Sequence, residues 1–214
     1  PFALIHLINS DGKFKWACSA PVTAIDEETV RLLKDSGCYC IGLGFESYSL
    51  TVLNSMKKPI TPQQIDRAIK ICLKLKMPIV GNFIFGDVAE TFETAKETLE
   101  YWKNNTMGQV KLFFIQPYPG SEIYQHCINK GIIKDKLDYI KNHMPHTNFF
   151  NMTNSLSDKQ YQDLVKLICE YRNIGTKHII PQKVTTEKND RCSVRVKCPF
   201  CNEIIVYKNC LIPN

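Results

Sequence analysis

The sequence predicts an α/β fold with a parallel sheet, and three observations carry that prediction. Four apolar runs, Phe14 to Ser19, Tyr39 to Phe45, Ile79 to Phe85 and Val110 to Ile115, have the length and composition of strands. Capped amphipathic segments alternate with them, which calls for right-handed crossovers and therefore parallel neighbours. The strand-to-helix junctions carry Gly and polar residues, at the edge where such folds gather their ligands. The sheet is either open or curled into part or all of a barrel.

Each element has a local reason. Asp26 is a helix cap before Glu27 and Glu28, with Val30, Leu32 and Leu33 as the apolar set and Gly37 as the stop. Thr61-Pro62-Gln63-Gln64 combines an N-cap Thr, Pro at the first helical position and Gln at the capping-box position. Ile65, Ala68, Ile69 and Cys72 then form a buried stripe that Pro78 ends. The run from Ile79 to Phe85 is almost wholly apolar, as a strand covered on both faces requires. Thr91 opens a helix to about Asn105 through Phe92, Ala95, Leu99 and Trp102. Ser121 caps a short helix carrying Ile123, Tyr124, Cys127 and Ile128, which Gly131 terminates, and Ser157 to Gln160 is a second capping box for a helix running to near Gly175.

The chain has 214 residues, 44% hydrophobic and 22% charged, enough for one good core and a small appendage. Its longest apolar stretches stop well short of the roughly 20 residues that span a bilayer, and no signal peptide opens the sequence. A cytoplasmic location is expected, and the ten Cys are expected as reduced thiols or metal ligands. The net charge of +6 suits an anionic partner without demanding one. The start at Pro1 without Met and the end at Asn214 read as a piece of a longer chain.

The strand ends supply the candidate site. Glu46 and Ser47 can hydrogen-bond a sugar diol or an amine, or simply solvate the strand end. Asn82 faces a ligand cavity or is a satisfied buried amide. Gly86 either lets a ligand approach or serves the turn, and Asp87 and Glu90 follow it, the latter a ligand contact or a solvated acid at a helix start. Gln116, Pro117 and Tyr118 form the third loop, before Pro119-Gly120-Ser121. With no Lys at a strand end and no phosphate-binding Gly loop, a parallel-barrel lyase or aldolase is disfavoured.

Together these segments resemble the radical S-adenosylmethionine enzymes. The resemblance rests on Asp35-Ser36-Gly37-Cys38, Gly44-Phe45-Glu46-Ser47, Val52 to Lys58, Phe83 to Thr91, and Pro117 to Tyr124 followed by Gly131. It covers about Phe14 to Tyr171 and looks most like the cobalamin-binding subclass. The fold it implies is a partial parallel (β/α) barrel, with strands three to six of six present in residues 1–176 together with a helical extension. It implies that Glu46 and Ser47 approach the ribose or amino-acid part of S-adenosylmethionine, that 86–90 supports the adenine side, and that Gln116 to Tyr118 closes the pocket. It also implies a [4Fe-4S] cluster that cleaves S-adenosylmethionine to a 5′-deoxyadenosyl radical, a reductant for that cluster, cobalamin on a separate domain, and a small-molecule substrate undergoing C–H functionalisation or methyl transfer. Two departures stand out. No Cys-x3-Cys-x2-Cys occurs, so the cluster ligands and catalytic residues are expected outside these residues, with Cys18, Cys38, Cys40, Cys72, Cys127 and Cys169 read as small buried hydrophobes. Pro21 stands where many relatives carry Arg at the end of the third strand.

Residues 177–190 lose apolar periodicity and read as a linker, and 191–214 as a truncated zinc-ribbon-like module. Cys198-Pro-Phe-Cys201 has the spacing of a zinc knuckle. Either Cys192 and Cys210 complete a site of four ligands or a second knuckle lies beyond Asn214, the arrangement ribbon modules favour; an auxiliary iron-sulfur cluster or an unmetallated pair are the other tenants. An alternative function is a nucleic-acid-binding or tRNA-modifying protein gripping through Lys183, Lys188, Arg191, Arg195 and Lys197. Phe200 and Tyr207 make no recognisable stacking platform, so nucleic acid is not the expected partner.

Overall fold

A computed structural model describes residues 14–106, 108–144, 150–175, 180–187, 191–198 and 202–211, with the side chains of 174 and 175 excepted. The chain divides into two compact units, Pro1–Arg172 and Asn173–Asn214.

In the first unit, β1 (Trp16–Ala20), β2 (Cys38–Glu46), β3 (Ile79–Phe85) and β4 (Val110–Phe114) form a wholly parallel sheet in chain order. The crossovers are α1 (Glu27–Asp35), the pair α2 (Leu50–Ser55) and α3 (Pro62–Lys74), and α4 (Phe92–Asn105). After β4 come α5 (Glu122–Asn129), a helical turn at Lys136–Asp138 that runs into a π-helical turn at Tyr139–His143, and the long α6 (Asp158–Gly175). The caps form as the residue types require. Asp26 accepts from the Thr29 amide at 2.7 Å, and Thr61 and Gln64 make a reciprocal capping box. A box also forms at Thr91, with Thr94 in the position usually held by Glu or Gln.

The sheet is two-faced. Ile41, Leu43, Phe45, Ile79, Phe83, Phe85, Val110 and Leu112 are buried under the helices, in one core with Val30, Leu33, Ile65, Ile69, Leu99 and, from α6, Leu164 and Ile168. The opposite face carries Ser19, Gly42, Gly44, Val80, Asn82 and Lys111, so β3 is not covered on both sides as its apolar sequence suggests; Val80 is 52% exposed. Leu32 is likewise turned out, at 48% exposure, because the stripe of α1 runs through Val30 and Leu33. A second small core of Tyr124, Cys127, Ile133, Tyr139 and Met152 lies beneath α5.

In the second unit, β5 (Lys183–Thr186), β6 (Arg191–Lys197) and β7 (Ile204–Leu211) form an antiparallel sheet in chain order. Two sequence expectations change here. Residues 177–190 are not linker throughout, since Lys183 to Thr186 pair with Arg195 to Cys192 as a strand. Cys192 and Cys210 do not complete a site with Cys198: they face each other in register, and six residues of extended strand, about 20 Å, separate Cys192 from Cys198. One tetrahedral ion with bonds of about 2.3 Å cannot bridge that span. Cys201 lies outside the described residues. Among the described residues no helix is long and apolar enough to cross a membrane, and no group of three or more His, Cys, Asp or Glu could hold a metal ion.

Candidate functional site

Two clefts lie along the carboxyl half of β2. The first, about 560 Å³, lies over the open face of the sheet and is bounded by Ser19, Gly42, Gly44, Val80, Asn82 and Lys111. In-register pairing builds it, because Asn82 sits between Gly44 and Lys111 across three strands, and Val80 and Ser19 flank Gly42 one step back. Two glycines in that layer keep the sheet surface bare. The second cleft, about 540 Å³, lies at the strand ends, with Ile84, Val88, Ile115 and Ile123 as apolar wall and Glu46, Lys58, Asp87 and His126 among its polar groups.

Glu46 lines the second cleft, with its carboxylate beside Gly44 of the first. It ends β2 with φ of 65°, and the register with β3 slips between Gly44 and Glu46. Left-handed backbone at a non-Gly residue costs energy of order 1 kcal/mol or more and is retained where the surroundings impose it. Here the twist turns the carboxylate back over Gly44, where Lys58 Nζ donates to Oε1 at 2.7 Å. A Cβ on Gly44 would come within 3.1 Å of Lys58 Nζ and 3.2 Å of Glu46 Oε1, so the bare glycine leaves room for the ion pair. Lys58 follows α2 and sits beside Lys57, which pairs with Glu122 of α5.

The neighbouring sequence candidates divide between cleft and scaffold. Asn82 is exposed and lines the open-face cleft. Asp87 lines the strand-end cleft, while its Oδ1 accepts from the Ala89 amide at 2.9 Å. Ser47 is 2% exposed, and its hydroxyl is spent on Thr98 of α4 and on the Ser49 amide rather than directed to the cleft. Gly86 has φ of 96°, and an added Cβ would lie 2.8 Å from the Tyr161 hydroxyl of α6, so protein already fills that side of the turn. Glu90 is 1% exposed, so it is not a solvated acid. Its carboxylate accepts from Thr94 Oγ1 at 2.6 Å and from the Gly86 amide at 3.3 Å, and burial pushes its pKa up to about 7. Its own carbonyl accepts from Ser155, and Asn154 donates its amide to Val88, so the 86–90 loop is tied to the segment before α6. Gln116, Pro117 and Tyr118 line neither cleft. The Pro117 carbonyl accepts from Tyr139 at 2.9 Å, and Tyr118 is 59% exposed.

Sequence reasoning did not single out Lys58 or His126. Lys58 was visible only as one of two adjacent lysines, and its reach back to Glu46 depends on α2. The His126 Nε2 lies 3.1 Å from the Met152 carbonyl, which can only accept, so that nitrogen carries a proton and Nδ1 is the acceptor of the neutral ring.

The residues fit a nucleoside cofactor better than an iron-sulfur cluster. Apolar walls and the carboxylates of Glu46, Asp87 and Glu122, the last paired with Lys57, in a cleft of this volume suit a base and a hydroxylated or cationic group. The thiols near the amino ends of β1 and β2 are a different matter. Cys18 Sγ lies 4.0 Å from Cys38 Sγ, and burial pushes the Cys18 thiol up to about 11 and raises Cys40 as well, which disfavours the thiolate that a metal requires at those two positions.

Comparison with known proteins places this geometry. Residues 2–101 match the Radical SAM superfamily. An uncharacterized methyltransferase of Pyrococcus horikoshii is 30% identical over 118 residues, which are 55% of this chain and 26% of the relative. Coproporphyrinogen III oxidase from Escherichia coli, a radical SAM enzyme, has a TM-score of 0.55 at 12% identity, over 81% of this chain and 36% of its own. The radical S-adenosylmethionine methyltransferase TsrM from Kitasatospora setae, solved with cobalamin and a [4Fe-4S] cluster, has a TM-score of 0.50 at 18% identity, over 59% and 25% respectively. At those identities the structural likenesses establish the fold. The chain spans about a quarter of the length of the curated relatives it matches.

Proposed function

We propose that residues 14–172 form part of the (β/α) barrel of a radical SAM enzyme, and that the strand-end cleft receives the adenosyl end of S-adenosylmethionine. The observation that carries this reading is Glu46, strained and folded over Gly44 beside Lys58 at the strand-end cleft. The carboxylate is placed to accept hydrogen bonds from a ribose diol or an ammonium group, and the hydrogen bond from Lys58 orients it. Ile84, Val88, Ile115 and Ile123 exclude water from the base, and Asp87 presents a second acceptor. Thr98 and Glu90 fix the loops that bear these groups without touching the ligand. Asn82 and Lys111 on the open face are the groups that meet a small-molecule substrate.

Bound S-adenosylmethionine, with a reduced [4Fe-4S] cluster, supplies the radical or methyl-transfer chemistry. The cluster ligands are not among the Cys of residues 1–214 in the required spacing, and the cluster, its reductant and any cobalamin belong to the whole enzyme. The methyltransferase relative and the cobalamin-bound neighbour support methyl transfer as the reaction class.

Titration with S-adenosylhomocysteine, followed by calorimetry, tests the reading. Glu46→Gln should weaken binding about tenfold, the worth of one charge-assisted hydrogen bond, whereas Ser47→Ala should leave it unchanged. Equal affinities for the wild type and Glu46→Gln would overturn the assignment.

A further inference from the structure

The second unit carries a concentration of positive charge that its sheet orders on one face. Residues 173–214 contain seven Lys and Arg against three Asp and Glu, a net +4 of the chain's +6. Pairing places Lys183 directly opposite Arg195, Arg195 opposite Val206, and Lys197 opposite Ile204. Side chains alternate along a strand, so Lys183, Arg195 and Lys197 share a face, and Lys208, at the register shift opposite Ser193, borders it. All four are exposed. They form a stripe crossing three strands, in steps of about 6.6 Å along a strand.

That stripe is costly to the free protein. Like charges directly opposite in an antiparallel pair destabilise it, and Lys183 and Arg195 are such a pair. Among the described residues none of the four cations meets a carboxylate. The one carboxylate that strand alternation puts on this face, Glu187, accepts from the Ser193 hydroxyl. The arrangement is explained if an external polyanion supplies the missing countercharge.

We propose that this face binds the phosphodiester backbone of single-stranded RNA. A narrow stripe of cations in regular steps suits an extended chain of phosphates. Aliphatic Ile204 and Val206, 43% and 50% exposed, lie among the cations as surface for sugars and bases. The missing aromatic platform does not weigh against it, because phosphate-directed binding needs no stacking and carries no sequence information. The strand at Lys183 to Thr186 is what creates the face, by setting Lys183 beside Arg195.

The test is fluorescence anisotropy of a short labelled oligouridylate with the full chain. Four phosphate contacts predict a slope of log affinity against log salt of about −3, or roughly 50-fold weaker binding at 200 mM than at 50 mM salt. Arg195→Gln combined with Lys197→Gln should reduce that slope by roughly 1.4. It should leave the thermal midpoint unchanged or higher, since a like-charge pair is relieved. Lys208→Gln, on a different strand, should weaken binding on its own and decides the matter if the double variant fails to fold. Unchanged RNA affinity in these variants overturns the proposal. So does salt-sensitive capture by phosphatidylserine-containing vesicles without binding of the oligouridylate.

Discussion

Glu90 combines 1% exposure with a pKa near 7, and the two facts make a pH prediction. In the fold the carboxyl keeps its proton up to about pH 7, against an ordinary value of 4.5. Between those values the native state therefore holds more protons than the unfolded chain, and stability falls as pH rises through the window. The full loss is about 3 kcal/mol, absent below pH 4.5 and complete above 7. Glu90→Gln keeps an oxygen to accept from Thr94 and has no proton to lose, so its urea midpoint should fall less between pH 5 and 8 than that of the wild type. Parallel pH profiles would show that Glu90 is not the responsible group. The sequence marked Glu90 as an acid at a helix start, but its burial depends on α6 and on Ser155, both far along the chain. Ser47 was similarly legible as a polar residue and illegible in direction, because Thr98 decides which way the hydroxyl turns.

Among the elements, the turn from β3 into α4 was the plainest feature of the sequence, and its packing the least foreseeable. Gly86 was read as a place where a ligand comes close, and the close partner is Tyr161 of α6. Gly86→Ala should cost about 1 to 3 kcal/mol from the left-handed backbone alone, and more from overlap with the Tyr161 hydroxyl. Adding Tyr161→Phe removes the atom in conflict, leaving ring carbon Cε2 at 3.7 Å, and should return part of the loss. Strictly additive losses in a denaturation cycle would show that the two positions do not meet. Capped helices were legible because each cap is a local arrangement of three or four residues. The strand at Lys183 to Thr186 was not, since its four residues are all exposed and nothing in them demands pairing; β6 selects them.

For the first unit as a whole, the four-stranded sheet depends on a helix that arrives after it. Leu164 and Ile168 of α6 are fully buried in the same core as Val110, Leu112 and Leu99. Leu164→Ala should cost 2 to 5 kcal/mol, read as a lower urea midpoint with an unchanged slope. A loss under about 0.5 kcal/mol, usual for surface substitutions, would mean α6 only decorates the sheet. The order and direction of the strands were legible in the alternation of runs and caps, whereas the closure by α6 and the bare face were not, because both concern which side of a strand meets what. That bare face has a consequence for how such a protein diversifies. Its residues, Ser19, Val80, Asn82 and Lys111, add little to the core, so replacing them reshapes the cleft at small cost in stability. The sheet is a chassis with one side fixed by packing and the other open to revision without risk to the fold.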